Sequence, residues 1–202
     1  MSGTETARYT LSPGKRVRPR AGGARPQERY FALTQDYLVA RPLWPKGDTY
    51  IAYSRRGSQP IPMQLRAGSS LDVPVSISGN SILNTNGTDK YQAIKLVDVP
   101  AGTIRTLVGL PVSQWRWPVP KLHEQTLFVG LGQDLMVFDA KNGELRRYIK
   151  NFIPAPSQNN AHELHMNPIV RLMIDRGRLI ALTSSGRNSR IVPLSDLVTH
   201  SR

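Results

Sequence analysis

The chain has 202 residues, of which 39% are hydrophobic, with 16 Gly, 16 Pro, no Cys and a formal net charge of +13 at pH 7. The lack of cysteine excludes disulfides, cysteine-ligated zinc, iron–sulfur clusters and a thiol nucleophile, and the Gly and Pro content favours many turns over long helices. The charge, with a pI near 10.6, favours a polyanionic partner: nucleic acid, anionic lipid or an acidic protein surface.

Residues 1–28 read as a basic arm. Residues 1–29 hold seven bases against two acids, a net of +5 within the total of +13. In SPGKRVRPRAGGARPQ, Val17 is the only large aliphatic after Leu11. Such a segment buries too little to offset an ordering cost of about 1–2 kcal/mol per residue. It is expected to order only against a partner. The basic start has no apolar stretch after its charges, so it does not read as a secretory signal. No apolar run approaches the roughly 20 residues of a membrane span. Together these favour the cytoplasm or an organelle interior over secretion.

Residues 29–202 read as one all-β domain. YFAL, YLVA, TYIAYS and IPMQL are short apolar runs bounded by Pro, Gly, Asp and Ser, which is strand punctuation. No window sustains an amphipathic helical stripe for three turns. The best helix candidate is a short piece at residues 162–166. In LFVGLGQDLMVFDAKNGELRRYI (127–149), three strands are predicted at 127–130, 135–138 and 144–149. They are joined by a tight link at 131–134 and by an Asn-Gly turn at 141–144.

That unit recurs. KLVDVPAGTIRTL (95–107) and MVFDAKNGELRRY (136–148) share an apolar pair, an Asp, three residues, a Gly and then a strand. Asp98 to Asp139 spans 41 residues, as does Gly102 to Gly143. SILNTNG (81–87) precedes the first copy as LFVGLG precedes the second. RLIALTSSGRNSRIVPLSDL (178–197) is a third copy, with LIALTSSG as its inner strand and no final turn. Residues 29–80 supply at most one further irregular unit. A period of 40–50 residues is the range of β-propeller blades.

These residues resemble the repeats of PQQ-like/YVTN β-propellers. The likeness is best over 81–149, weaker over 178–197 and absent from 1–28. It implies a small or incomplete β-propeller-like array of antiparallel meanders behind a basic N-terminal arm. It implies no cofactor, because the quinone enzymes of that class use an acidic calcium-binding set not found here. Four units is the lower limit of the propeller range. The chain is therefore read as a small wheel, or as part of one completed by another chain or by the rest of a longer protein.

Catalytic motifs are not found. No G-x-S-x-G, dinucleotide fingerprint or phosphate-binding loop occurs, and only 14 acids are available for carboxylate pairs. His162, Glu163 and His165 form a compact donor cluster, but the histidines lack the H-E-x-x-H spacing. They are read as an interblade loop, not a metal site. Trp115, Arg116 and Trp117, followed by Pro118 and Pro120, cannot lie in a regular helix or a central strand. They offer a stacking and cation–π surface. The competing structural reading is an interblade link with one Trp plugging the core. Trp44 has the same Pro-flanked setting. Arg55, Arg56, Arg146, Arg147, Arg187 and Arg190 sit at strand ends or turns and would bind phosphates only if they shared a face.

The function expected from these features is non-catalytic: a structural subunit of a larger assembly, of nucleoprotein type. Its wheel supplies a rigid surface. Its arm, through Lys15, Arg16, Arg18, Arg20 and Arg25, binds an acidic partner or phosphates. Expected partners are other protein subunits and RNA or DNA. The alternatives are a propeller module binding a protein or small ligand, as in a sensor or adhesion segment, and a fragment of a propeller enzyme. Deleting residues 2–28 should weaken assembly and flatten its dependence on salt, as read by sedimentation across a salt series. Equal assembly with and without the arm would remove the arm from the mechanism.

Overall fold

The most buried strands of this chain carry apolar side chains on both faces. In TLFVGL, Leu127 and Val129 point to one side and Phe128 to the other, and all three are fully buried. A strand with both faces apolar must lie between two layers. The sheets therefore stack face to face.

The computed structural model describes residues 28–42, 49–57, 61–64, 74–88, 90–112, 117–154, 167–186 and 188–198. The first sheet is a meander of β1 (Glu28–Leu33), β2 (Tyr37–Pro42), β3 (Thr49–Ser54) and β4 (Ile61–Gln64). The second comprises β5 (Pro74–Ser78), β6 (Ser81–Gly87), β7 (Tyr91–Asp98) and β8 (Thr103–Pro111). The third comprises β9 (Pro118–His123), β10 (Thr126–Leu131), β11 (Asp134–Asp139) and β12 (Leu145–Ile149). The fourth has three strands, β13 (Ile169–Asp175), β14 (Arg178–Thr183) and β15 (Arg190–Pro193), followed by the one-turn helix α1 (Ser195–Val198). Every pairing is antiparallel and between strands consecutive in sequence. The fold is all-β and propeller-like, as the sequence predicts.

Three hydrophobic cores join the four sheets. Ala32, Val39, Tyr50 and Ala52 of the first sheet meet Ile82, Val97 and Val99 of the second. Leu83, Ile94, Leu96, Leu107 and Leu110 meet Leu122, Leu127, Val129 and Phe138 of the third. Phe128, Leu135 and Val137 of the third meet Ile169, Leu172, Leu179 and Ala181 of the fourth, with Phe152, Ile153 and Leu197 sealing that core. Each fully buried aliphatic or aromatic side chain contributes about 1.5–3 kcal/mol. Among the described residues, no such cluster joins the fourth sheet to the first. The sheets form an open stack.

The 41-residue repeat corresponds to one structural device. Asp98 and Asp139 each end the third strand of a sheet, and each carboxylate accepts from the N–H two or three residues on. Asp98 Oδ1 accepts from Ala101 at 3.3 Å, and Asp139 Oδ1 from Lys141 at 2.7 Å. Gly102 and Gly143 then adopt φ of 64° and 79°. In the third sheet this turn also locks to its neighbour. Arg105 of β8 donates to the carbonyls of Ala140 and Lys141, and a Cβ on Gly143 would meet Leu107 O at 2.1 Å. The repeated Gly is thus needed twice at that position, for its dihedral angle and for the close approach.

Three expectations are corrected. The third copy is not led by LIALTSSG. That stretch is the second strand, β14, and the inner strand is β13, IVRLMID, which follows the Asn167-Pro168 turn dipeptide. Residues 29–80 do not form one unit, because Pro74–Ser78 pairs with β6 and belongs to the second sheet. The SQWRWPVP segment is more than a link, because its second half is strand β9. The helix candidate at 162–166, the donor cluster His162, Glu163 and His165, and Trp44 and Arg187 lie outside the described residues.

Gly143→Ala should destabilise the protein by roughly 1–3 kcal/mol, since it combines strain with overpacking. Gly177→Ala, at φ 71° with nothing within 4 Å, should lose only the conformational part, about 1 kcal/mol. Urea unfolding of both variants checks the order; equal losses would deny the close approach. Asp139 gives a pH test. The backbone N–H of Lys141 first, and then the Arg146 guanidinium, hold its carboxyl below the ordinary value of 3.8. A depressed carboxylate contributes stability above its unfolded pKa and loses it as pH falls through the folded value. Asp139→Asn should therefore cost about 1 kcal/mol at pH 7. Its deficit against the parent should close below about pH 4, as followed by urea midpoints across pH.

Candidate binding groove

Each sheet begins with a strand that pairs on one side only. β5 pairs with β6, β9 with β10, and β13 with β14. Their free edges converge, with β9 touching both β5 and β13. The arrangement follows from the stacking. Successive meanders that all start at the same edge bring their first strands together.

Local chemistry fixes the spacing. The backbone N–H of Leu122 donates to Ser76 Oγ at 3.2 Å, and that of Glu124 to Ser78 Oγ at 3.4 Å. Two hydroxyls of β5 thereby satisfy the outward N–H of Leu122 in β9 and that of Glu124 just after it. Since the Leu122 N–H points away from β10, alternation puts positions 120 and 118 on the same free edge. Both are proline, which has no N–H to leave unsatisfied. On the other side, the N–H of Ile169 donates to Gly132 O at 2.7 Å. A Cβ on Gly130 would meet Ile169 Cγ2 at 2.8 Å, so β13 comes close to the backbone of β10.

Between these edges lies a groove of about 550 Å³. Val75 of β5, Pro118, Val119, Pro120 and Lys121 of β9, and residues 170–174 of β13 line it. The two charged residues in this lining, Lys121 and Arg171, are both basic. Val75 and Val170 are 44% and 51% exposed, so apolar surface faces solvent here. Such a surface can hold an apolar group and an anionic group side by side. Among the described residues of its lining, none carries a hydroxyl, imidazole or carboxylate.

The sequence-predicted site residues fall into three groups. Trp117 is 50% exposed and immediately precedes the groove-lining Pro118, so it does not plug the core. Trp115 and Arg116 lie outside the described residues, as do Lys15, Arg16, Arg18, Arg20 and Arg25. Five of the six arginines offered as a phosphate stripe make contacts within the chain, Arg56 from an exposed position, and Arg187 lies outside the described residues. Arg55 Nη1 donates to Gln35 O at 2.8 Å, and Arg56 pairs with Asp36 at 3.4 Å. Arg146 pairs with Asp139, and Arg147 donates to Asp196 O. Arg190 donates to Phe152 O and lies over the Phe152 ring at 4.7 Å. Lys121 and Arg171 were not singled out by sequence. The available signal is a lone base inside an otherwise apolar strand, in PVPKLH and IVRLMID.

Among the described residues, no helix is long and apolar enough to cross a membrane. No protein-family model matches the chain, and no curated protein matches it. Solved structures match the chain at low identity. The CNH domain of AfRom2 is 11% identical over 92% of this chain and 59% of its own, with a TM-score of 0.45. A Synechocystis ACO mutant is 11% identical over 92% of this chain and 52% of its own, with a TM-score of 0.47. Sqt1 from Saccharomyces cerevisiae is 11% identical over 78% of this chain and 41% of its own, with a TM-score of 0.40. The chain thus spans less than two thirds of each of these proteins.

Proposed function

We propose that this chain is a non-catalytic, protein-binding subunit of a larger assembly. In this reading it holds an acidic segment of its partner in the groove between β5, β9 and β13. The observation that carries the proposal is the lining itself: two bases, no acid and an exposed apolar floor. A carboxylate-bearing peptide satisfies Lys121 and Arg171, while its apolar side chains cover Val75, Val119 and Val170. A nucleic acid strand would satisfy the charges and leave the aliphatic floor without a mate. For that reason a protein partner is favoured over the nucleoprotein reading of the sequence. The basic arm, through Lys15, Arg16, Arg18, Arg20 and Arg25, adds a long-range electrostatic hold on the same acidic surface. The Asp-x-x-x-Gly turn supports assigning the 41-residue units to repeats of the PQQ-like/YVTN kind.

The experiment is fluorescence anisotropy with two labelled probes of equal charge, an Asp/Glu–Leu peptide and a single-stranded DNA oligonucleotide. The peptide should bind more tightly. Lys121→Glu with Arg171→Glu should weaken it at least about tenfold, or 1.4 kcal/mol, without changing the melting temperature by more than a few degrees. If the oligonucleotide binds as well or better and responds to the same pair, the partner is a nucleic acid. If neither probe responds, the groove is not the site.

A further inference from the structure

The open stack has two end faces, and they are not alike. Each internal junction joins the following face of one sheet to the preceding face of the next. In the first sheet, the following face carries Ala32, Val39, Tyr50 and Ala52, packed on the second sheet. Its preceding face carries Leu33, Leu38 and Ile51, with Ala40 already buried beside them. In the fourth sheet, the preceding face carries Leu172, Leu179, Ala181 and Val192, packed on the third. Its following face carries the row Met173–Ile180–Ile191 with Leu182 beside it. Leu33 is 43% exposed and Ile191 57% exposed. Among the described residues, every other sheet face of this kind is covered by one of the three cores. A preceding face at one end and a following face at the other are the two halves of one junction.

We propose that a second copy of this chain supplies the missing halves. Two copies related by a two-fold axis place the fourth sheet of each against the first sheet of the other. The contact is head-to-tail, yet it closes after two subunits, because both unlike faces are used twice. The result is a ring of eight sheets, at the upper end of the range of known propellers. A junction with a copy of this chain is continuous with those inside it. The junction repeated three times inside the stack is continued a fourth and an eighth time, and the chain itself carries both faces it needs. Cross-strand apolar rows of the same kind build the internal cores, as with Ile82–Val97–Ile104 of the second sheet. Closure by apolar faces also has a salt signature. Two chains of charge +13 repel, and salt screens that repulsion, so association strengthens as salt rises. Met173 belongs both to this end face and to the groove lining, so ring and groove share β13, and the oligomeric state rather than peptide binding tests the ring.

The test is sedimentation equilibrium on the full chain, at low and high salt, after nuclease treatment. The expected mass is twice the 22.5 kDa of one chain, with more dimer at high salt. Ile191→Glu alone and Leu33→Lys alone should each give a monomer. Mixing the two variants should restore a dimer, because a head-to-tail ring then has one junction with Glu against Lys and one junction of parent faces. Circular dichroism identifies any variant that fails to fold, and Ile191→Ser and Leu33→Ser replace it with the same expected loss. A parent chain that is monomeric at every salt concentration overturns the proposal and assigns the faces to further sheets of a longer protein. Dimers that survive both single variants, or that mixing does not restore, also overturn it.

Discussion

The structure depends on one constraint: a β-strand turns successive side chains to opposite faces, and here both faces are apolar. Leu127 and Phe128 are neighbours in sequence and members of different cores. A sheet built of such strands cannot be covered by one layer. It needs a sheet on each side. Stacking, the convergence of first strands and the position of the groove all follow. The interior sheets satisfy the constraint on both faces, and the end sheets satisfy it on one.

Polar groups set the geometry that apolar contact leaves loose. Hydrophobic faces can slide and rotate at little cost. The Arg105 clamp on the carbonyls of Ala140 and Lys141, and the Ser76 and Ser78 hydroxyls on β9, fix where one sheet sits on the next. At the junction of the first two sheets, Asn80 has the same role. Its Oδ1 accepts from the Asp36 N–H at 2.8 Å, and its Nδ2 donates to Asp36 Oδ2 at 2.9 Å. Many of the arginines that raise the net charge are therefore part of the frame. A basic composition here does not by itself mark a binding face.

Strands with paired apolar runs and Gly turns were legible in the sequence. SILNTNG is β6 residue for residue, and the Asp-to-Gly spacing located the equivalent turns of two sheets. The inner strands were not legible. β5 is PVSIS and opens on a proline, β9 holds two prolines, and β13 carries Arg171 within its apolar run. Edge strands pair on one side only, so their sequences tolerate residues that a central strand rejects, and the usual pattern fades. The groove lies on those strands, so the site was harder to read than the scaffold. Lys121 and Arg171 are each marked only by the apolar strand around them, and nothing in the sequence links the one to the other. Only the convergence of edges distant in sequence places them together.

The prolines of β9 have a consequence for recognition. A peptide often binds a sheet by adding to it as another strand, with main-chain hydrogen bonds providing affinity and fixing register. At β9 the outward donors are missing at Pro118 and Pro120, and the next one, on Leu122, is taken by Ser76. Strand addition along this edge is chemically foreclosed. A segment lying there must be held by side chains alone. Recognition of that kind tolerates shifts in main-chain register and bends in the bound segment. It also protects the exposed edge from pairing with another strand of the same type.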